Sequence, residues 1–73
     1  MATIDTVRDI LAENLDINPE SVSEESTIDS LGIDSLDMVE LICEVEDRLD
    51  IELGEPEGLT TVADFCAYVD ENL

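Results

Sequence analysis

The sequence predicts an all-α protein, a small helical bundle of three main helices with at most a rudimentary short helix before the last one. Three observations carry that expectation. Apolar residues recur at helical spacing in three separate segments, the stretches between them are rich in Gly, Pro, Ser and acidic residues, and 73 residues suffice for one core only. A single domain over 1–73 follows.

The first helix is marked by Ile4, Val7, Ile10, Leu11 and Leu15, with Thr3 as its expected N-cap and Asn18-Pro19 closing the segment. From Pro19 to Gly32 the chain is polar and turn-rich, yet Ile17, Val22, Ile28 and Leu31 punctuate it. A long loop pinned to the core by those four side chains is expected, because an unanchored loop of that length is unusual. The second helix is expected from Ser35 to Asp50, with Asp34 as N-cap and Asp37 three residues on in a capping-box position. Leu41, Ile42, Val45 and Leu49 form its core stripe with Met38 at the edge. Leu36, Val39 and Cys43 fall on a neighbouring face among Asp37, Glu40, Glu44 and Asp47, which reads either as a broad core stripe or as an apolar ridge flanked by acids. Next, Leu53-Gly54-Glu55-Pro56-Glu57-Gly58-Leu59 opposes any helix longer than a turn. The last helix begins near Thr61, with Asp64 completing a second capping box, and its buried stripe is Val62, Phe65, Cys66, Val69 and Leu73.

Charge narrows the function. Twenty-one acidic residues against two basic ones, Arg8 and Arg48, give a formal net charge of -19, with no Lys and no His. Such a chain repels nucleic acid and anionic membranes and is drawn to basic patches on other proteins. Crowded carboxylates are expected to hold their protons more tightly in the folded state, so that stability rises as pH falls from neutral. The hydrophobic content of 44%, periodically arranged, argues for a folded chain despite that charge. The N-terminal residues lack the pattern of a signal peptide and no segment reaches membrane-spanning length, so a cytoplasmic location without membrane insertion is expected. Cys43 and Cys66 fit no metal spacing or disulfide framework and read as reduced thiols in apolar roles. No calcium-loop pattern occurs, so no metal site is expected, and nothing is present to activate a catalytic serine.

One serine stands out. Ser35 opens the second helix, where unpaired N–H groups and the positive end of the helix dipole favour an attached anion, so its oxygen can carry a phosphodiester. A second Asp-Ser-Leu lies at Asp29-Ser30-Leu31, but Ser30 sits in a non-periodic segment two residues before Gly32 and lacks that environment. By itself Asp34-Ser35 also fits an ordinary helix start.

The run Leu31-Gly32-Ile33-Asp34-Ser35-Leu36-Asp37-Met38-Val39-Glu40-Leu41 resembles the L-G-x-D-S-L-D-x-V-E-L signature of acyl carrier proteins, and Leu59-Thr60-Thr61-Val62 with Tyr68-Val69 is similar to that family's later motifs. The resemblance implies a non-catalytic carrier. A phosphopantetheinyl transferase would attach 4'-phosphopantetheine from coenzyme A to Ser35, next to Asp34, and the arm would hold acyl groups as thioesters for enzymes of fatty acid or polyketide-type synthesis. It implies further that Leu36, Asp37, Val39, Glu40, Cys43 and Asp47 form the face read by synthase and acyl-transferring enzymes bearing basic patches, and that the protein is a monomer. Two features depart from the family pattern: the stretch from Leu49 to Val62 is short, and Cys43 stands where a larger apolar side chain is usual. Peptidyl carriers usually have Gly or His before the serine, so Asp34 favours an acyl over an aminoacyl cargo. The alternative from another class is a cofactor-free acidic interaction module, which accounts for the charge without using Ser35.

Overall fold

The computed structural model describes residues 2–54, 56 and 58–73. Three α-helices are present among them, α1 (Thr3–Leu15), α2 (Ser35–Leu49) and α3 (Val62–Glu71), with one 3₁₀ turn over Pro19–Ser21. The all-α expectation holds. The extra turn, however, lies in the first connection. Glu55 and Glu57 of the second connection fall outside the described residues.

α1 buries Val7, Ile10 and Leu11, with Ile4 and Leu15 packed against the same core. Thr3 is not its N-cap. Ala2 holds that position without a side-chain bond, and Thr3 is already helical, so its hydroxyl turns to another element and donates to the Asp70 carboxylate of α3. The helix ends earlier than Asn18-Pro19, at Asp16 in the left-handed conformation (φ 56°), whose N–H donates to the Leu11 carbonyl. Asn18 instead caps the 3₁₀ turn, accepting from the Glu20 N–H at 3.0 Å, with Pro19 at a position where no donor is missed.

The first connection is anchored as expected by Ile17, Val22, Ile28 and Leu31, and also by Ile33, which is buried. It is stitched by backbone as well. Thr27 and Thr61 form an isolated antiparallel bridge, Ile28 N–H donates to the Thr60 carbonyl at 2.9 Å, and Val62 N–H to the Ser26 carbonyl at 2.9 Å. Arg8 adds a side-chain tie, its Nε donating to the Val22 carbonyl at 2.9 Å.

On α2, Leu41, Ile42 and Val45 are buried, with Met38 and Leu49 beside them. Arg48 pairs with Glu13 of α1, so both arginines serve as ties between elements. α3 buries Val62, Phe65, Cys66 and Val69. Leu73 does not join that stripe: the helix stops at Glu71, the chain leaves helical geometry at Asn72, and Leu73 is 67% exposed.

Candidate functional site

The approach to Ser35 is built by a turn and a cap. Gly32, at φ +76°, adopts a conformation that strains any residue with a Cβ, and its N–H donates to the Asp29 carbonyl at 3.0 Å. Ile33 then drops into the core, its N–H bonded to the Ile28 carbonyl at 3.2 Å. Asp34 follows in extended geometry as the N-cap of α2, its side chain accepting from the Asp37 N–H at 2.9 Å while the Asp37 carboxylate faces the Asp34 N–H at 3.4 Å. This reciprocal cap is the one expected from the sequence, and it fixes Ser35 as the first residue of the helix.

Ser35 is exposed, and among the described residues none exchanges a hydrogen bond with its hydroxyl. Ser30 differs. Its hydroxyl donates to the Thr27 carbonyl at 2.9 Å and its N–H donates to Thr27 Oγ1 at 3.0 Å, which ties it into the turn. With the Asp37 and Met38 N–H groups taken by Asp34, those of Ser35 and Leu36 remain at the helix end to face an anion.

The second set of apolar residues on α2 resolves as a ridge. Leu36 is 78% and Val39 59% exposed, Cys43 is exposed, and Glu40 and Asp47 lie exposed alongside, with Asp37 half-buried at the cap. The alternative of a broad core stripe is thereby overturned, because the core of α2 is filled by Leu41, Ile42 and Val45 on the other side. An exposed apolar pair rimmed by one sign of charge is the form of an interaction surface.

A groove of about 890 Å³ opens beside Ser35. Its wall along α2 is Ser35, Met38, Val39, Ile42, Cys43 and Glu46, so the ridge borders the groove; Ile28 and Ile33 close one side, and Gly54, Pro56, Gly58 and Leu59 the other. Sequence reasoning assigned Met38 and Ile42 to the core alone and did not find this space. Its signal was present in Gly54, Pro56 and Gly58, since a segment that cannot fill the gap with a packed helix leaves one.

The carboxylates do not behave uniformly as crowding suggests. Asp64 is held below the ordinary carboxylate range, first by the Thr61 N–H and then by the Thr60 N–H, both at 3.1 Å, and the expectation of raised carboxylate values fails there because those donors stabilise the charged form. The Cys66 thiol is pushed up to about 11, chiefly by burial and then by the charges of Asp70 and Glu24. It is therefore a packing residue at neutral pH. Cys43, the other thiol, is exposed on the ridge. No group of His, Cys, Asp and Glu suited to holding a metal occurs among the described residues.

Comparison with known proteins gives the same answer along most of the chain. The family model described as "Phosphopantetheine attachment site" matches residues 5–69. The acyl carrier protein of Streptococcus thermophilus (strain CNRZ 1066) is 45% identical over 71 residues, covering 97% of this chain and 96% of its own length. That of Wolinella succinogenes is 41% identical over 75 residues, covering 99% of each. For Campylobacter curvus the figures are 42% over 74 residues, with 97% and 96% covered. With a capped serine at the head of α2, an acidic apolar ridge beside it and this match over nearly the whole length, the chain belongs to the acyl carrier protein family.

Proposed function

We propose that the protein carries acyl intermediates of fatty acid or polyketide-type synthesis on a 4'-phosphopantetheine group attached to Ser35, with residues 1–73 acting as one carrier domain. The observation that supports Ser35 is its exposed hydroxyl, free of partners among the described residues, at a capped helix start beside the groove. The residues present fit the group. The N–H groups of Ser35 and Leu36 face its phosphate, Asp34 holds the first turn of α2 rigid beneath it, and the apolar groove gives a chain emerging there somewhere to leave water. Once bound, the group supplies a flexible thiol that holds acyl chains as thioesters.

The chemistry belongs to partners. Leu36, Val39 and Cys43 offer an apolar footing, and Asp37, Glu40 and Asp47 attract the basic patches of a phosphopantetheinyl transferase and of synthase and acyl-transferring enzymes. No described helix is long and apolar enough to cross a membrane. A cytoplasmic monomer that meets each enzyme transiently fits these features.

The decisive experiment is intact mass after incubation with coenzyme A, Mg²⁺ and a broad-specificity phosphopantetheinyl transferase. One phosphopantetheine is gained by the wild type and by Ser30→Ala, and none by Ser35→Ala. An unchanged wild-type mass, under conditions that modify a control carrier, refutes the assignment.

A further inference from the structure

α2 and α3 each pack closely on α1, while their backbones stand farther from one another and their side chains share the core. The groove lies between α2 and the connection that follows it. Along α2 it runs from Ser35 to Glu46, eleven helical rises or roughly 16 Å. Beside that end, next to Gly54 of the groove wall, Leu53 links α2 to α3. The Leu53 N–H donates to Glu46 Oε2 at 2.8 Å, the Leu53 carbonyl accepts from the hydroxyl of Tyr68 on α3, and the Leu53 side chain is buried. Leu53 is thus tied to one helix by its N–H, to the other by its carbonyl, and to the core by its side chain.

We propose that Glu46 and Tyr68 are positioning residues which, by clamping Leu53, fix where the groove ends and so set the length of acyl chain the protein shelters. This rests on the reading of the groove as the seat of the cargo. Beyond Leu53 the wall includes Gly54 and Gly58, both at positive φ and with open space around a Cβ built on either, so at these two positions no side chain fixes the end. A chain long enough to reach Leu53 must either stop or displace it. Displacement leaves a peptide N–H and carbonyl without their partners, which is costly in a partly buried setting. Depth is therefore set by two hydrogen bonds to the backbone of one residue.

The test uses the holo protein loaded with butyryl, octanoyl, dodecanoyl and palmitoyl chains, read by thermal melts against the unacylated form and by the rate of thioester cleavage with hydroxylamine. In the wild type, the gain in Tm grows with chain length and then stops. In Tyr68→Phe and in Glu46→Ala the gain continues to a longer chain, and cleavage of that chain slows several-fold relative to wild type. Glu46→Gln keeps an oxygen acceptor for the Leu53 N–H and behaves as wild type. A stopping point shared by all variants overturns the proposal. So does loss of folding in unacylated Tyr68→Phe and Glu46→Ala, which makes the clamp a determinant of the fold and not of capacity. Failure of the groove reading looks different: wild-type Tm and cleavage are then independent of chain length, although the phosphopantetheine mass is gained.

Discussion

Thr61 and Asp64 satisfy each other at the start of α3: the Asp64 N–H donates to Thr61 Oγ1 at 3.1 Å, and the Thr61 N–H donates to Asp64 Oδ2 at 3.1 Å. The same carboxylate takes the Thr60 N–H at 3.1 Å, and Thr60 in turn accepts from Ile28. One aspartate therefore holds together the cap of α3 and the seam where the first connection meets it.

These bonds give an acid-labile contribution to stability. The folded Asp64 carboxyl lies below its unfolded value of 3.8, so its contribution is fully present above that value and is lost as pH falls through the folded pKa. Melts from pH 5 downward will show a steeper loss of Tm in the wild type than in Asp64→Asn. Parallel curves would disprove this.

At the alkaline end the sign comes from Cys66. Its folded thiol titrates at about 11 against 9.0 unfolded, so stability is complete below pH 9 and declines as pH rises from there towards 11, where the unfolded chain gains by ionising first. Cys66→Val, similar in volume and unable to ionise, should flatten that decline. Melts between pH 8 and pH 11 measure the difference.

Core and ridge separate cleanly in mutation. Val45 is fully buried, and Val45→Ala is expected to cost about 2 kcal/mol of stability by chemical denaturation. Leu36, at 78% exposure, should change stability by less than about 0.5 kcal/mol as Leu36→Ala, while slowing modification by the transferase. Glu40→Lys should lower the association rate constant and weaken its dependence on salt, since exposed charges act over roughly 8–10 Å at physiological ionic strength. An unaltered rate in both variants would remove the ridge from the recognition surface.

Asp16 and Asp50 end α1 and α2 in the left-handed conformation, at φ 56° and 54°. Glycine is at ease there and also removes a charge from a chain at -19. Asp16→Gly and Asp50→Gly should each stabilise by about 0.5–1 kcal/mol, after allowing for the freer unfolded chain. Denaturant midpoints that fall in both variants would contradict this.

What could be read from the sequence divides along physical lines. The caps at Asp34/Asp37 and Thr61/Asp64 and the stripes of α2 depend on residues within a few positions of one another, and they stand where expected. Thr3 and Leu73 went astray because each sits at a helix end, where position relative to another element decides: Thr3 has Asp70 to bond, and Leu73 has no helix left beneath it. The Thr27–Thr61 bridge and the groove were illegible for a stronger reason. One joins segments distant in sequence, and the other is empty space, hinted at only indirectly by Gly54, Pro56 and Gly58.

The seam between residues 24–28 and 60–63 has a bearing on the order of folding. Each of its bonds links the loop before α2 to the chain after it, so the loop that closes contains the whole of α2. Contacts of such separation form only after their closure entropy has been met, whereas α2 can nucleate from its own turns. The segment leading to Ser35 accordingly becomes fixed late in folding, held from behind by residues that follow α2. A chain still emerging during synthesis, with Thr60 to Ala63 not yet made, lacks that seam, so the loop before the serine takes its final form only once those residues have been added.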